Sequence, residues 1–195
     1  MWHARTRTLR PSLALALTLA LPMACAHAAG YTLDPDHSFV YFEITHFRTS
    51  TIRGRFGPVQ GHVAMDPAAG TGELGISVDT RQVDSGMALF NRRLREPDLL
   101  NSESDPTVWF VARRFRFEQG RLAEVRGELT LRGVSRPLSL MASSFSCRDD
   151  ERFKREVCGG DFEATFNRSE FGITFGRPFI GDTVRLLVQV EAVRD

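Results

Sequence analysis

Apolar and polar side chains alternate with a period of two along most of the chain. Val184, Leu186, Val188, Val190 and Ala192 interleave with Arg185, Leu187, Gln189 and Glu191. Val125, Gly127, Leu129 and Leu131 interleave with Arg126, Glu128, Thr130 and Arg132. The same alternation runs through Phe162, Ala164 and Phe166, and through Leu74, Ile76 and Val78. Successive side chains of a strand point to opposite faces, so each run predicts a half-buried strand. Further strands are predicted at residues 38–47, 60–65, 108–117 and 138–145. Asp66-Pro67, Gly70, Gln119-Gly120 and Gly159-Gly160 separate them with turn chemistry. Many short strands at near-regular spacing predict an all-β sandwich or barrel.

Residues 85–102 break the alternation. Met87, Leu89 and Phe90, then Leu94, then Leu99 and Leu100 fit short helical turns, and Pro97 interrupts any long helix. One or two short helices inserted into the all-β domain are expected. Two of the strands are apolar on both faces. Residues 38–47 carry Phe39, Tyr41 and Phe47 on one side and Val40, Phe42 and Ile44 on the other, and Val108, Trp109, Phe110 and Val111 run without a polar break. Either the helical insert covers their outer side, or the barrel encloses an unfilled apolar lumen. The 15 Phe against two Tyr favour the second, because Phe lines a cavity without a polar atom that needs a partner.

The amino-terminal segment stands apart from this pattern. Arg5, Arg7 and Arg10 precede an apolar run from Leu13 to Met23, and Ala26-His27-Ala28 follows as a small-x-small site. This is the order of a secretory signal peptide, with cleavage expected after Ala28 and a barrel domain over residues 29–195. The run is too short to span a bilayer, so no stable membrane insertion is expected. Pro22-Met23-Ala24 before Cys25 fits a lipidation site poorly. The expected destination is the periplasm.

Export changes two counts. Three of the 25 basic residues lie in the leader, which leaves 22 against 24 acidic ones. No basic footprint for nucleic acid remains. Cys25 also leaves, and Cys147 and Cys158 then stand alone in an oxidising compartment, where they are expected to pair across a polar loop. Their spacing is neither a redox C-x-x-C nor, without nearby His, a zinc set.

A search for catalytic groups comes up short. His37, His46 and His62 have no ligand or triad spacing, and Asp34, Asp36 and His37 read as turn and capping chemistry. No nucleophile elbow, H-E-x-x-H helix or phosphate loop occurs in the sequence. No cofactor or metal is called for. Arg92, Arg93 and Arg95 form a basic cluster on the helical insert that could meet an anionic head group.

Five stretches carry longer motifs. Near its start the mature chain carries Tyr31-Thr32-Leu33-Asp34-Pro35-Asp36-His37-Ser38, followed by His46 with Gly54-Arg55-Phe56 and Gly61, and then by Ser104-Asp105-Pro106-Thr107-Val108-Trp109-Phe110. Gly127 to Pro137 follows, and Asn167 to Ile173 with Gly181-Asp182-Thr183-Val184 closes the series. In this order the motifs resemble those of the YceI family of lipocalin-like, polyisoprenoid-binding periplasmic proteins, with Gly127 to Pro137 similar to the family's hairpin and the last stretch to its closing signature. The insert departs from the family's "R-[DN]-x-H-L": Phe90 stands for the Arg and Arg93 for the His. The resemblance implies an eight-stranded antiparallel lipocalin-like barrel around an apolar channel.

The function expected is therefore binding rather than catalysis. A long apolar ligand (a polyisoprenoid, an isoprenoid quinone precursor or a fatty-acyl lipid) would be carried or sequestered. The competing readings are an enzyme on a small apolar substrate and a stress-related interaction module whose barrel is filled. A homodimer stays open. The candidate ligand-binding residues are Phe39, Tyr41, Phe42, Trp109, Phe110 and Phe145, together with Phe162, Phe166, Phe171 and Ile173. Arg93 is the candidate for the head group. The 167–173 corner is expected to turn through side-chain to backbone bonds of Asn167 and Ser169, with Gly172 supplying backbone freedom.

Overall fold

The computed structural model describes residues 28–195. The signal-peptide reading falls on residues outside that range, apart from Ala28. Ten strands form one antiparallel sheet: β1 (Ala29–Leu33), β2 (Phe39–His46), β3 (Ser50–Phe56), β4 (Gln60–Asp66), β5 (Thr71–Asp79), β6 (Thr107–Glu118), β7 (Arg121–Leu131), β8 (Val134–Asp150), β9 (Arg155–Asn167) and β10 (Ile180–Arg194). The single α-helix among the described residues is α1 (Ala88–Leu94).

Ten strands make eight staves. One edge of β10 takes β9 along most of its length. Its other edge takes β2 opposite Ile180–Gln189 and β1 opposite Ala192–Arg194, on either side of the Asp34–Ser38 bend. β3 pairs with β2 while β4 pairs with β1 and β5, so these two also form one bent stave, broken at the cis Gly57-Pro58 bond. The meander from β4 to β10 closes on β1, which gives an eight-stranded antiparallel barrel.

The alternation read from sequence is the inside–outside alternation of this barrel. Leu129 and Leu131, Phe162 and Ala164, Ile76 and Val78, and Val184, Val188 and Ala192 are buried in the lumen. The predicted strands are all present, most of them longer. β1 and β3 are additional: β1 is five residues long, and β3 (STIRGRF) carries arginines at every second position beside Ile52, Gly54 and Phe56. Gly159-Gly160 is not a turn but lies inside β9. A Cβ on Gly160 would sit 2.2 Å from the Ser144 carbonyl, beside the register shift between Ala142 and Ser144. Close approach of backbone, rather than reversal, requires glycine there.

Two-residue turns join β6 to β7 and β7 to β8. Gln119-Gly120 and Arg132-Gly133 have φ of 51° and 76°, and 52° and 70°. Both central residues of such a turn need positive φ, which is the reason for Gly at the second. Cys147 and Cys158 are bonded (S–S 2.01 Å) and face each other directly in the β8–β9 register. They bridge two paired strands. The expected polar loop is a hairpin whose turn is residues 151–154, because Arg148, Asp149 and Asp150 continue β8 in register with Val157, Glu156 and Arg155.

The barrel wall outside is charged. Arg185 links Glu43 and Glu163 across three strands, and Arg53 joins Glu43. Glu124 on β7 accepts from Arg126 and Arg116 and is held at a pKa of about 2 by those bonds. A lipid-facing band would not carry such charges, and no described helix is long and apolar enough to cross a membrane.

The segment between β5 and β6 covers one end of the barrel. Asp79 caps a short 3-10 turn at Thr80–Gln82 through the Arg81 amide. Asn91 accepts from the Ser85 amide and hydroxyl and donates to Asp84, which fastens the start of α1. Seven residues are too few for a helix to hold in water alone. Phe90 and Leu94 pack α1 over the lumen, and Arg132 donates to the Leu99 carbonyl to tie down the segment that follows.

Candidate ligand cavity

A cavity of about 220 Å³ occupies the half of the barrel beneath α1. The strands supply its walls from their inward positions. Val40, Phe42 and Ile44 come from β2; Val108 and Phe110 from β6; Leu129 and Leu131 from β7; Leu138 and Leu140 from β8; and Val184, Leu186 and Val188 from β10. Phe90, Leu94, Leu99 and Leu100 close it from the insert, and Ile173, Phe175 and Ile180 from the segment before β10. Gly54 on β3 gives Phe42 its place: a Cβ there would meet the ring at 2.5 Å. Phe42 also lies 5.4 Å from Phe56, centroid to centroid.

Only Arg93 and Arg168 bring charge to the wall, and both are engaged. Arg93 donates both terminal nitrogens to Asp98 at 2.6 and 2.7 Å and lies 4.3 Å above the Phe175 ring. The bond to Asp98 raises its pKa. Arg168 is buried and donates to the carbonyls of Gly181, Ile173 and Ile180 at 2.8, 3.2 and 3.2 Å. Burial lowers its pKa against the opposing charge of Asp182. Asp182 in turn accepts from the Ser169 amide and hydroxyl. The 167–173 corner is thus held by Arg168 and Asp182, rather than by side-chain to backbone bonds of Asn167 and Ser169. Asn167 instead donates to the Glu170 carboxylate and accepts from Thr183. Gly172 ends a second 3-10 turn, Arg168–Phe171, in the left-handed region at φ 77°.

A second apolar cavity of about 70 Å³ lies towards the opposite end. Ile76, Leu140 and Val188 belong to the walls of both. Phe115, Phe145, Phe162 and Cys158 line the smaller one, together with Tyr31. Burial, then its bond to Glu156 at 2.7 Å, pushes the Tyr31 phenol up to about 12.

Phe42, Phe110, Phe166, Ile173 and Arg93 therefore meet in the main cavity, and Phe145 and Phe162 in the second. Phe171 is fully buried behind Phe166, edge-on at 5.2 Å. Three expectations are corrected. Phe39, Tyr41 and Trp109 sit on the outer face, because strand parity places them opposite Val40, Phe42 and Phe110. Trp109 is 50% exposed, and Phe39 packs under Arg55. The insert does not cover Trp109 or Val111, so the doubly apolar run of β6 has one face on the lumen and one in water. The aliphatic half of the wall and Phe90 are not among the candidate ligand-binding residues that the sequence suggests, although the strict alternation of β5, β7 and β10 marks many of those aliphatics.

Elsewhere, Asp34 accepts from the Asp36 amide and bonds His37 Nδ1 at 2.8 Å, which is turn chemistry at the β1–β2 bend. Cys147, Glu156 and Cys158 lie close enough together to suggest a metal set. The two sulfurs are bonded to each other, however, and offer no thiolate.

The architecture defines a closed β-barrel with an apolar, unfilled lumen. The YceI-like domain matches residues 31–192, and the chain belongs to that family. A UPF0312 protein of Pseudomonas aeruginosa is 33% identical over 187 residues, covering 93% of this chain and 96% of the relative. A UPF0312 protein of Pectobacterium atrosepticum is 29% identical over 184 residues, covering 92% and 94%. Among solved structures, Burkholderia cenocepacia BcnA superposes with a TM-score of 0.67 at 19% identity, covering 82% of this chain and 98% of that one. A polyisoprenoid binding domain from Saccharophagus degradans, implicated in plant cell wall breakdown, superposes with a TM-score of 0.60 at 16% identity, covering 86% and 99%. At these identities the superpositions speak for the fold.

Proposed function

We propose that this protein binds a long apolar ligand of the polyisoprenoid, quinone-precursor or fatty-acyl kind, as a carrier or sequestering protein exported to the periplasm, and that it is not an enzyme. The observation that carries the reading is the cavity of about 220 Å³ that the side chains leave unfilled, with a wall of hydrocarbon apart from Arg93 and Arg168. A lumen of this kind rewards each buried methylene by about 0.8 kcal/mol. The polyisoprenoid named for the Saccharophagus degradans domain is the chemistry this wall suits. An apolar cavity of about 150 Å³ holds a benzene, so this one seats about one to two isoprene units. The remainder of a longer ligand would extend into the second cavity or out through the mouth under α1. With Arg93 and Arg168 already bonded, the hydrocarbon goes inward and any polar head stays at the mouth, beside Arg93.

Native mass spectrometry and lipid extraction of protein purified from its own compartment test the reading, followed by titration with a fluorescent prenyl or fatty-acyl probe. Phe110→Gln should abolish probe uptake, whereas Trp109→Gln, on the outer wall, should leave it intact. Protein that carries no lipid and takes up neither probe at micromolar concentration would sink the proposal in favour of an interaction module.

A further inference from the structure

The two ends of the barrel differ. Nine large apolar side chains are exposed among the described residues. Tyr41, Trp109, Val111 and Met141 are scattered over the wall on β2, β6 and β8. The other five, Phe47, Met87, Leu89, Phe175 and Phe179, all lie in α1 or the connections at the end that α1 covers, where Phe175 and Arg93 carry the wall of the main cavity out to solvent as its mouth. The β2–β3 turn, the start of α1 and the segment before β10 contribute them. None lies at the other end, whose turns are Pro67-Ala68-Ala69-Gly70, Gln119-Gly120 and Glu151-Arg152-Phe153-Lys154, with Phe153 under the Arg152 guanidinium at 4.2 Å.

The rim is joined to the cavity wall. Phe175 lines the cavity and is also exposed. Leu89 neighbours Phe90, which faces the lumen, and Phe179 stacks on Phe47 at 5.3 Å. An apolar path therefore runs from the lumen to the outer edge of the mouth. Arg48, Arg92 and Arg95 are exposed on the same rim. Arg93 and Arg177 have carboxylate partners there, whereas these three have none among the described residues. Asp84, Glu96, Asp98, Glu103 and Glu170 are exposed at the same end, so charge is the smaller contribution and apolar area the larger.

We infer that this rim docks the barrel, mouth first, onto the surface of a lipid bilayer, with Leu89, Met87, Phe47 and Phe179 entering the acyl boundary and the arginines that lack a carboxylate partner meeting anionic head groups. Exposed apolar side chains with arginines among them suit an interface plane. The inference rests on the lipid-binding reading for its purpose. A hydrocarbon ligand that leaves a membrane through water must be solvated on the way, and a mouth seated in the bilayer removes that step.

Co-flotation with vesicles of phosphatidylcholine and phosphatidylglycerol, containing no prenyl lipid, tests the docking separately from ligand binding. The native protein should float with the vesicles. The Leu89→Ser/Phe179→Ser protein should lose about tenfold or more in partitioning, with a thermal midpoint close to the native one because both side chains are mostly exposed and only the Phe47 stack is lost. Met87→Ser/Leu89→Ser serves if the loss of Phe179 disturbs Phe47. Arg92→Glu/Arg95→Glu should lose a smaller part, and that loss should shrink in high salt. Trp109→Ser, on the wall, should float like the native protein. Native protein that stays in solution overturns the inference, as does an equal loss in Trp109→Ser. Mouth-to-mouth dimers in light scattering that Leu89→Ser abolishes would assign the rim to a second copy of the chain and overturn it as well. Intact probe uptake beside absent flotation would remove the docking alone.

Discussion

Arg93 reaches the mouth with both terminal nitrogens on Asp98, so an anionic head group must compete with a carboxylate already in place. Asp98→Asn should therefore tighten binding of a prenyl phosphate or a fatty acid and leave a neutral prenyl alcohol unchanged. Arg93→Ala should weaken the anionic ligands only. Parallel titrations of charged and neutral probes at low and high salt check both, and an equal change for the neutral probe would remove Arg93 from head-group recognition. Glu124 offers a residue-scale test of stability. Its carboxyl is held at about 2 in the folded barrel against an ordinary 4.5. A depressed folded-state pKa stabilises fully above the ordinary value and is lost as pH falls towards the folded one. The native protein should thus weaken between about pH 4.5 and pH 2. Glu124→Gln should start weaker at neutral pH and show a flatter profile across that window. Urea midpoints across the range decide it.

The elements owe different debts to local and distant sequence. β8 is the longest strand, and with β9 it projects past the Gln119-Gly120 turn to the 151–154 hairpin. Cys147 and Cys158 clamp it where β8 is mostly exposed. A loop of about this size predicts about 2–3 kcal/mol of stabilisation on the chain-entropy view. The Cys147→Ser/Cys158→Ser protein should unfold at a correspondingly lower temperature while keeping probe uptake, because the main cavity lies at the other end. Uptake lost together with stability would show that the two ends are coupled. The alternating strands β5, β7, β9 and β10 were legible in sequence because one face meets the lumen and the other meets water. β1 was missed because five residues hold too little pattern, and β3 because its polar face dominates. The inward face of β2 and β6 was harder to read. In β2, Glu43 and Thr45 share the face of Phe39 and Tyr41 and were the signal that Phe42 points inward, whereas Val108 to Val111 of β6 carries no polar mark and only pairing with β7 decides that Phe110 points inward rather than Trp109. The insert was legible as helical, but its true helix is one short piece held by Asn91 and by the lumen beneath.

At the scale of the whole molecule, the lumen is two cavities with a partition. Ile76, Leu140 and Val188 stand between about 220 Å³ under the mouth and about 70 Å³ beyond. Across a prenyl alcohol series, affinity should rise by roughly fourfold per buried methylene while the main cavity fills. It should then level off once the chain reaches the partition. Leu140→Ala opens the partition from β8. Truncating a buried Leu costs about 2–5 kcal/mol, so the ligand-free variant should melt well below the native protein. A long ligand that fills the joined space should restore part of the loss by mass action, and a short one should not. The variant's affinity should go on rising at chain lengths where the native protein's has levelled off. Thermal shifts and probe displacement over the same series measure both. If native affinity climbs without a break through long chains, the partition yields on binding, and the lumen acts as one deformable channel rather than two fixed chambers.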